Sequence, residues 1–125
     1  MGIVLPQAGY LVAVQELAKK YETILIIDET HTISVGPGGM TADQGLKPDF
    51  LTIGKAIAGG IPTGTFGMTQ GMADSIKTMV ELEIIDTGGI GGTLAGNALS
   101  LAAMRATLTQ AVSYTHLTLP TIYSV

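Results

Sequence analysis

A chain of 125 residues has room for one domain and no more, and a domain of that length can bury a workable core. Its net charge of −4, with 6 basic residues against 10 acidic ones and no basic cluster, excludes a surface built to track nucleic-acid phosphates. Cysteine is absent, which rules out a disulfide framework or a thiolate metal site and is compatible with a cytoplasmic enzyme, and no apolar run reaches the ~20 residues that span a bilayer, so no membrane partner is expected.

The apolar positions Tyr10, Val14, Leu17 and Tyr21 recur at helical spacing, with Gln15, Glu16, Lys19 and Lys20 on the polar side, and predict an amphipathic helix. Thr23 to Ile27 is short, β-branched and continuously apolar, which suits a strand covered on both faces in a parallel sheet. Asp28 and Glu29 stand at that strand's carboxyl end. The stretch "SVGPGGMTADQGLKPD" is expected to form a loop or lid, after which "FLTIG" makes a second short strand ending at Lys55. Gly64 to Thr69 is predicted as a third strand and Met72 to Val80 as a short helix. The turn "TGGIGGT" then feeds a helix over "LAGNALSLAAMRATLTQ", favoured by its Ala and Leu content. Helices alternating with buried strands indicate an α/β layered architecture. The chain holds 17 glycines, several of them paired, which is expected where turns are tight or backbone approaches a ligand.

The last stretch, "VSYTHLTLPTIYSV", carries no Asp, Glu, Lys or Arg, and the helix before it meets no stop signal. An edge strand with Pro120 at its margin is one reading. The stretch also resembles a peptide that recurs as translated sequencing-adaptor read-through. The expected organisation is therefore residues 1–111 as native sequence and 112–125 as a non-native tail.

Four apolar residues followed by Asp-Glu, Ile24 and then "LIIDETH", resemble a Walker B or DExH box, in which Asp28 holds Mg²⁺ and Glu29 activates water. That reading needs a G-x-x-x-x-G-K-[ST] loop. The Gly54-Lys55 pair is followed by Ala56, lacks the earlier glycine and lies after the acidic strand, the wrong order for that fold.

The ordered set "MGIVLPQAGYL", "LIIDET", "LKPDFLTIGKAIAGGIPTGTFGMT" and "GGTLAGNALSLAAM" resembles fold-type I pyridoxal-phosphate enzymes. Within them it is most similar to class III aminotransferases of the glutamate-1-semialdehyde aminomutase kind, over Met1 to about Gln110. The resemblance implies part of a three-layer large domain, a mainly parallel sheet flanked by helices, with pyridoxal 5'-phosphate as cofactor. It implies a small amino-group donor or acceptor as substrate and a homodimer. The activity expected is amino-group transfer or intramolecular migration, with the first and last of those stretches tilting toward the aminomutase.

The chemistry gives these residue types their places. Pyridoxal phosphate withdraws electrons best with its ring nitrogen protonated, and a carboxylate beside that nitrogen favours the charged form, the role implied for Asp28. Glu29 is expected to turn away and support the loop. Lys55, flanked by Gly54 and by Gly59-Gly60, is the amine implied for the Schiff base with the cofactor aldehyde. Once displaced by substrate it can carry the proton between carbons. Gly92 and Thr93 precede a helix, where N–H groups and a hydroxyl seat a phosphate, and the resemblance implies that Thr93 reaches the partner subunit's cofactor. A plain N-cap is the other reading of Thr93, and the two are compatible. Thr30 stands where relatives carry a small aliphatic residue against the ring, and His31 where they carry Gln or Met near its phenolic oxygen. The segment "ISVGPGG" also replaces the family's commoner continuation.

Family members are several times longer. An upstream glycine-serine phosphate turn, an aromatic residue stacked on the ring and a C-terminal small domain have no counterpart here. The chain is thus expected to be an internal piece of the cofactor-binding large domain, with strand edges and apolar faces exposed. A piece of this kind without activity of its own is the non-enzymatic alternative.

Overall fold

The structure, a computed structural model, describes residues 4–79 and 93–114. In chain order the elements are α1 (Tyr10–Lys20), β1 (Ile26–Asp28), α2 (Gly39–Asp43), β2 (Phe50–Gly54), β3 (Gly64–Met68), α3 (Gln70–Lys77) and α4 (Ala98–Tyr114), with 3-10 turns at Ile33–Val35 and Lys55–Ala58. They fall into two compact units, one of Met1–Ile53 with Thr65–Val80 and one of Gly54–Gly64 with Glu81–Val125. The architecture is α/β, as expected.

In the first unit, α1 ends with Lys19 and Lys20 in its last turn, where cations favour the partial negative charge of the free carbonyls. The inward face differs from the expected stripe. Leu11, Val14, Gln15 and Ala18 are half-buried, whereas Tyr10, Leu17 and Tyr21 are 57%, 55% and 65% exposed. Gln15 explains the rotation, because its Oε1 accepts a hydrogen bond from the Lys47 N–H and so holds that side of the helix inward.

β1 starts later than the sequence suggests. Thr23 is spent on leaving the helix, its N–H donating to the Ala18 carbonyl at 2.9 Å. Leu25 N–H donates to the Asp49 carboxylate at 2.9 Å rather than to a strand. From Ile26 the pairing with β2 is parallel, in the register Ile26↔Phe50, Ile27↔Leu51, Asp28↔Thr52. β2 is central in the order β1-β2-β3. Thr69 N–H donates to the Asp49 carbonyl at 3.0 Å, which sets the end of β3 beside the start of β2, so β3 runs back antiparallel and this small sheet is mixed. Thr69 also caps α3, accepting from the Met72 N–H at 3.4 Å, and thereby starts that helix two residues before the expected Met72.

In the second unit the turn Lys55–Ala58 packs against α4. Ile57 and Ala58, 3% and 2% exposed, are the buried apolar side chains among the described residues. Close packing at Gly59 helps, since a Cβ there would lie 3.0 Å from Thr107 Oγ1. α4 begins at Ala98 and not at Leu94 because Gly96 adopts φ 68 and Asn97 Oδ1 accepts from the Ser100 N–H at 2.9 Å, an N-cap the sequence reading passed over. The helix continues past Gln110 to Tyr114, as the lack of a stop signal allows. The turn at 87–92 and residues 115–125 lie outside the described residues.

Apolar surface is extensive for so short a chain: Ile24 and Ile26 are 54% and 60% exposed, and Leu99 and Leu101 are 67% and 51% exposed. The face of β1 that carries Ile26 is uncovered, and Ile27 on the other face is only half-buried. The isolated chain is therefore expected to bind a hydrophobic dye and to associate in sedimentation runs as its concentration rises. A monodisperse monomer with no dye binding would contradict this.

Candidate active site

Two adjacent carboxylates leave β1 in opposite senses, as successive strand residues must. Asp28 closes the strand and is exposed, and its Oδ1 accepts the Thr30 N–H at 2.8 Å, a local turn of the kind Asp makes with the backbone two residues on. Glu29 is fully buried. Its Oε2 accepts from Thr32 Oγ1 at 2.7 Å and from the Met40 N–H at 3.1 Å, and its Oε1 accepts from the Thr41 N–H. Its backbone is equally engaged: the N–H donates to the Thr52 carbonyl at 2.8 Å, and the carbonyl accepts from Thr32 and Ile33 at 3.1 and 2.9 Å.

Burial alone pushes the Glu29 carboxyl up. The Thr41 and Thr32 side chains and the N–H groups of Thr41 and Met40 outweigh it and hold the group below its ordinary value of 4.5. Thr41 Oγ1 itself is buried without a hydrogen-bond partner among the described residues. Glycine at position 39 is a requirement of this arrangement, since its φ is +66 and a Cβ would stand 2.6 Å from Glu29 Oε2. The expected loop thus contains a short helix, α2, whose first N–H groups are satisfied by a carboxylate more than ten residues upstream. Glu29 supports the loop, as its place in the sequence suggested. Thr32, Met40 and Thr41 were not foreseen as its partners; the one sequence signal was the Gly38-Gly39 pair.

Thr30 is half-buried and His31 exposed, both in the turn after Asp28. In the second unit, Lys55 directly follows β2, is exposed, and has φ 47, the left-handed region that a side chain with a Cβ rarely enters. Gly54 before it is buried and extended. Thr93 is exposed in the turn ahead of α4, and Gly92 lies outside the described residues. Asp28 and Thr30 are joined directly, whereas Lys55 and Thr93 belong to the other unit. A cleft of 440 Å³ in the first unit, lined by Gln15, Glu22, Leu25, Lys47 and Asp49 among others, sits where β1 and β2 begin and includes none of the expected site residues.

The fold recurs in pyridoxal-phosphate transaminases and aminomutases. It is similar to a glutamate-1-semialdehyde-aminomutase from Pseudomonas aeruginosa PAO1, with TM-score 0.78 and 48% identity over 87% of this chain and 25% of that one. It is also similar to a taurine:2-oxoglutarate aminotransferase from Bifidobacterium kashiwanohense solved in complex with PLP and glutamate, with TM-score 0.77 and 26% identity over 90% of this chain and 24% of that one. In sequence it is 44% identical over 110 residues to the glutamate-1-semialdehyde 2,1-aminomutase of Methanocorpusculum labreanum, covering 86% of this chain and 25% of the relative. The profile described as Aminotransferase class-III matches residues 1–118, and the chain belongs to that family. It spans about a quarter of the length of these relatives. Nothing in the fold or the family favours the nucleotide-hydrolase reading of "LIIDETH", and Glu29, with both oxygens occupied, is not disposed to activate water.

Because the folded-state pKa of Glu29 is depressed, its contribution to stability is complete above 4.5 and is lost as pH falls through the lower folded value. A chimera in which residues 4–111 replace the matching segment of the Methanocorpusculum labreanum enzyme provides a full-length setting. There, Glu29→Gln should cost about 1–3 kcal/mol near neutral pH, and urea titrations should show that difference shrinking below pH 4.5. A difference that stays constant well into the acid range would contradict the assignment.

Proposed function

We propose that the chain carries the central part of a pyridoxal-phosphate site in an enzyme that moves an amino group on a small substrate, with Lys55 as the residue that holds the cofactor aldehyde. The observation that carries this reading is the backbone at the end of β2. Left-handed conformation costs a residue with a Cβ about 1–2 kcal/mol, and a glycine would avoid the cost. A lysine at φ 47, between Gly54 and the packed Ile57-Ala58 turn, supports a need for its amine at the strand end.

The residues present fit the cofactor in kind. A primary amine suits its aldehyde, a carboxylate at the carboxyl end of a neighbouring parallel strand suits its ring nitrogen, and an exposed threonine hydroxyl at the turn before α4 suits a phosphate. Open α/β sheets place ligands outside the carboxyl ends of their strands, where Asp28 and Lys55 occur in sequence. Bound pyridoxal phosphate supplies an electron sink for charge that develops on the substrate carbon. Asp28 favours a proton on the ring nitrogen by its negative charge. Lys55 Nζ, once neutral, would carry the proton between the substrate carbon and the cofactor's aldehyde carbon. Thr30 would border the ring, His31 would donate toward the phenolic oxygen, and Gly92 with Thr93 would hold the phosphate of a partner subunit's cofactor in a cytoplasmic homodimer. Residues 112–125 are a non-native tail on the large-domain segment 1–111.

Amino migration is favoured over transfer between two substrates. The fold is matched equally by an aminomutase and a transaminase, with TM-scores of 0.78 and 0.77, but identity is 48% to the first and 26% to the second.

In the chimera, borohydride reduction should fix the cofactor to Lys55, and Lys55→Ala should abolish the adduct. Asp28→Asn should keep the adduct while turnover falls about 10²–10⁴-fold. An adduct mapped to Lys47 or Lys77, or near-normal turnover in the Asp28 variant, would overturn the reading.

A further inference from the structure

Glu29 binds together three segments. Its N–H reaches the Thr52 carbonyl of β2, its carbonyl closes the turn at Thr32 and Ile33, and its carboxylate takes Thr32 Oγ1 and the first N–H groups of α2. Asp28 precedes it and Thr30 follows it, and the hydrogen bond from the Thr30 N–H to Asp28 Oδ1 spans it. One oxygen of the exposed Asp28 carboxylate is therefore held by a donor that directly follows Glu29 in the chain.

We propose that Glu29 is a positioning residue for Asp28: its buried carboxylate holds the 30–41 loop and so fixes the N–H that orients the Asp28 carboxylate. The inference rests on the role given to Asp28 above. The hydrogen-bond inventory explains why a carboxylate is required. Two backbone N–H groups converge on different oxygens, Met40 on Oε2 and Thr41 on Oε1. Glutamine offers one oxygen and one NH₂, so either amide orientation sets two donors face to face. Thr32 can rotate its hydroxyl to accept, but a backbone N–H cannot. An alternative path by shift of the loop is closed at Gly39, where the backbone already lies against the carboxylate. Aspartate, a methylene shorter, would not reach all three donors.

The test uses the chimera carrying Glu29→Gln and, separately, Thr32→Ala, which removes a single donor and is read alone should the first variant fail to fold. Amide hydrogen exchange is followed in the cofactor-free protein at Thr30, Met40 and Thr41, and turnover and borohydride trapping in the loaded one. The expected result is exchange at Thr30 faster by about tenfold or more, with the Lys55 adduct retained, kcat lowered by about tenfold or more and KM changed far less, the pattern of a misdirected group and not of lost binding. Faster exchange at Met40 and Thr41 with Thr30 and kcat unchanged would make Glu29 merely structural and overturn the inference. Absence of a Lys55 adduct in the unsubstituted chimera would instead overturn the reading of the site.

Discussion

A carboxylate survives inside a protein only where donors replace the water it has lost, and Glu29 has a hydroxyl and two backbone N–H groups doing so. Left unpaired, such a group would cost several kcal/mol or take up a proton. The shape of the following loop is the solution to that problem. Gly38 and Gly39, both at positive φ, turn the chain so that α2 presents its first free N–H groups to the carboxylate, and the missing side chain at Gly39 lets the backbone lie against it. With Glu29 committed inward, strand alternation leaves Asp28 outward at the end of β1. One buried charge thus determines both the course of the loop and which of two neighbouring acids is exposed.

The second strand end is organised by packing instead. Lys55 occupies a backbone conformation that costs free energy, and the residues after it, Ile57 and Ala58, are the buried apolar ones. Their burial, together with the close approach of Gly59 to Thr107, offsets the strain and prevents the turn from relaxing. A strained residue backed by a packed turn is an arrangement that holds a side chain at an unusual angle, and the exposed Lys55 has that setting.

Much of this was legible in the sequence, for physical reasons that also explain the remainder. Phe50–Gly54 and Tyr10–Lys20 matched within a residue because their signals are local: β-branched and aromatic residues bounded by Asp and Gly, and a polar-apolar period closed by lysines. α2 was read as loop because five residues carry no period, and its stability comes from Glu29 far upstream. The inward face of α1 was misassigned because a polar residue, Gln15, decides it through a backbone N–H that no periodicity records. Asp28 and Lys55 stood out by position at strand ends, but the left-handed backbone of Lys55 and the donors around Glu29 are tertiary facts. The continuously apolar run of β1 pointed to burial that this segment does not itself supply.

The division of labour between the two acids is the central claim, and a crystal structure of the chimera grown with pyridoxal phosphate tests it most directly. The account predicts the Asp28 carboxylate within hydrogen-bond distance of the cofactor's ring nitrogen, density continuous from Lys55 Nζ to the cofactor, and Glu29 still bonded to the N–H groups of Met40 and Thr41. Glu29 turned out to the ring nitrogen, with Asp28 directed into the loop, would contradict it.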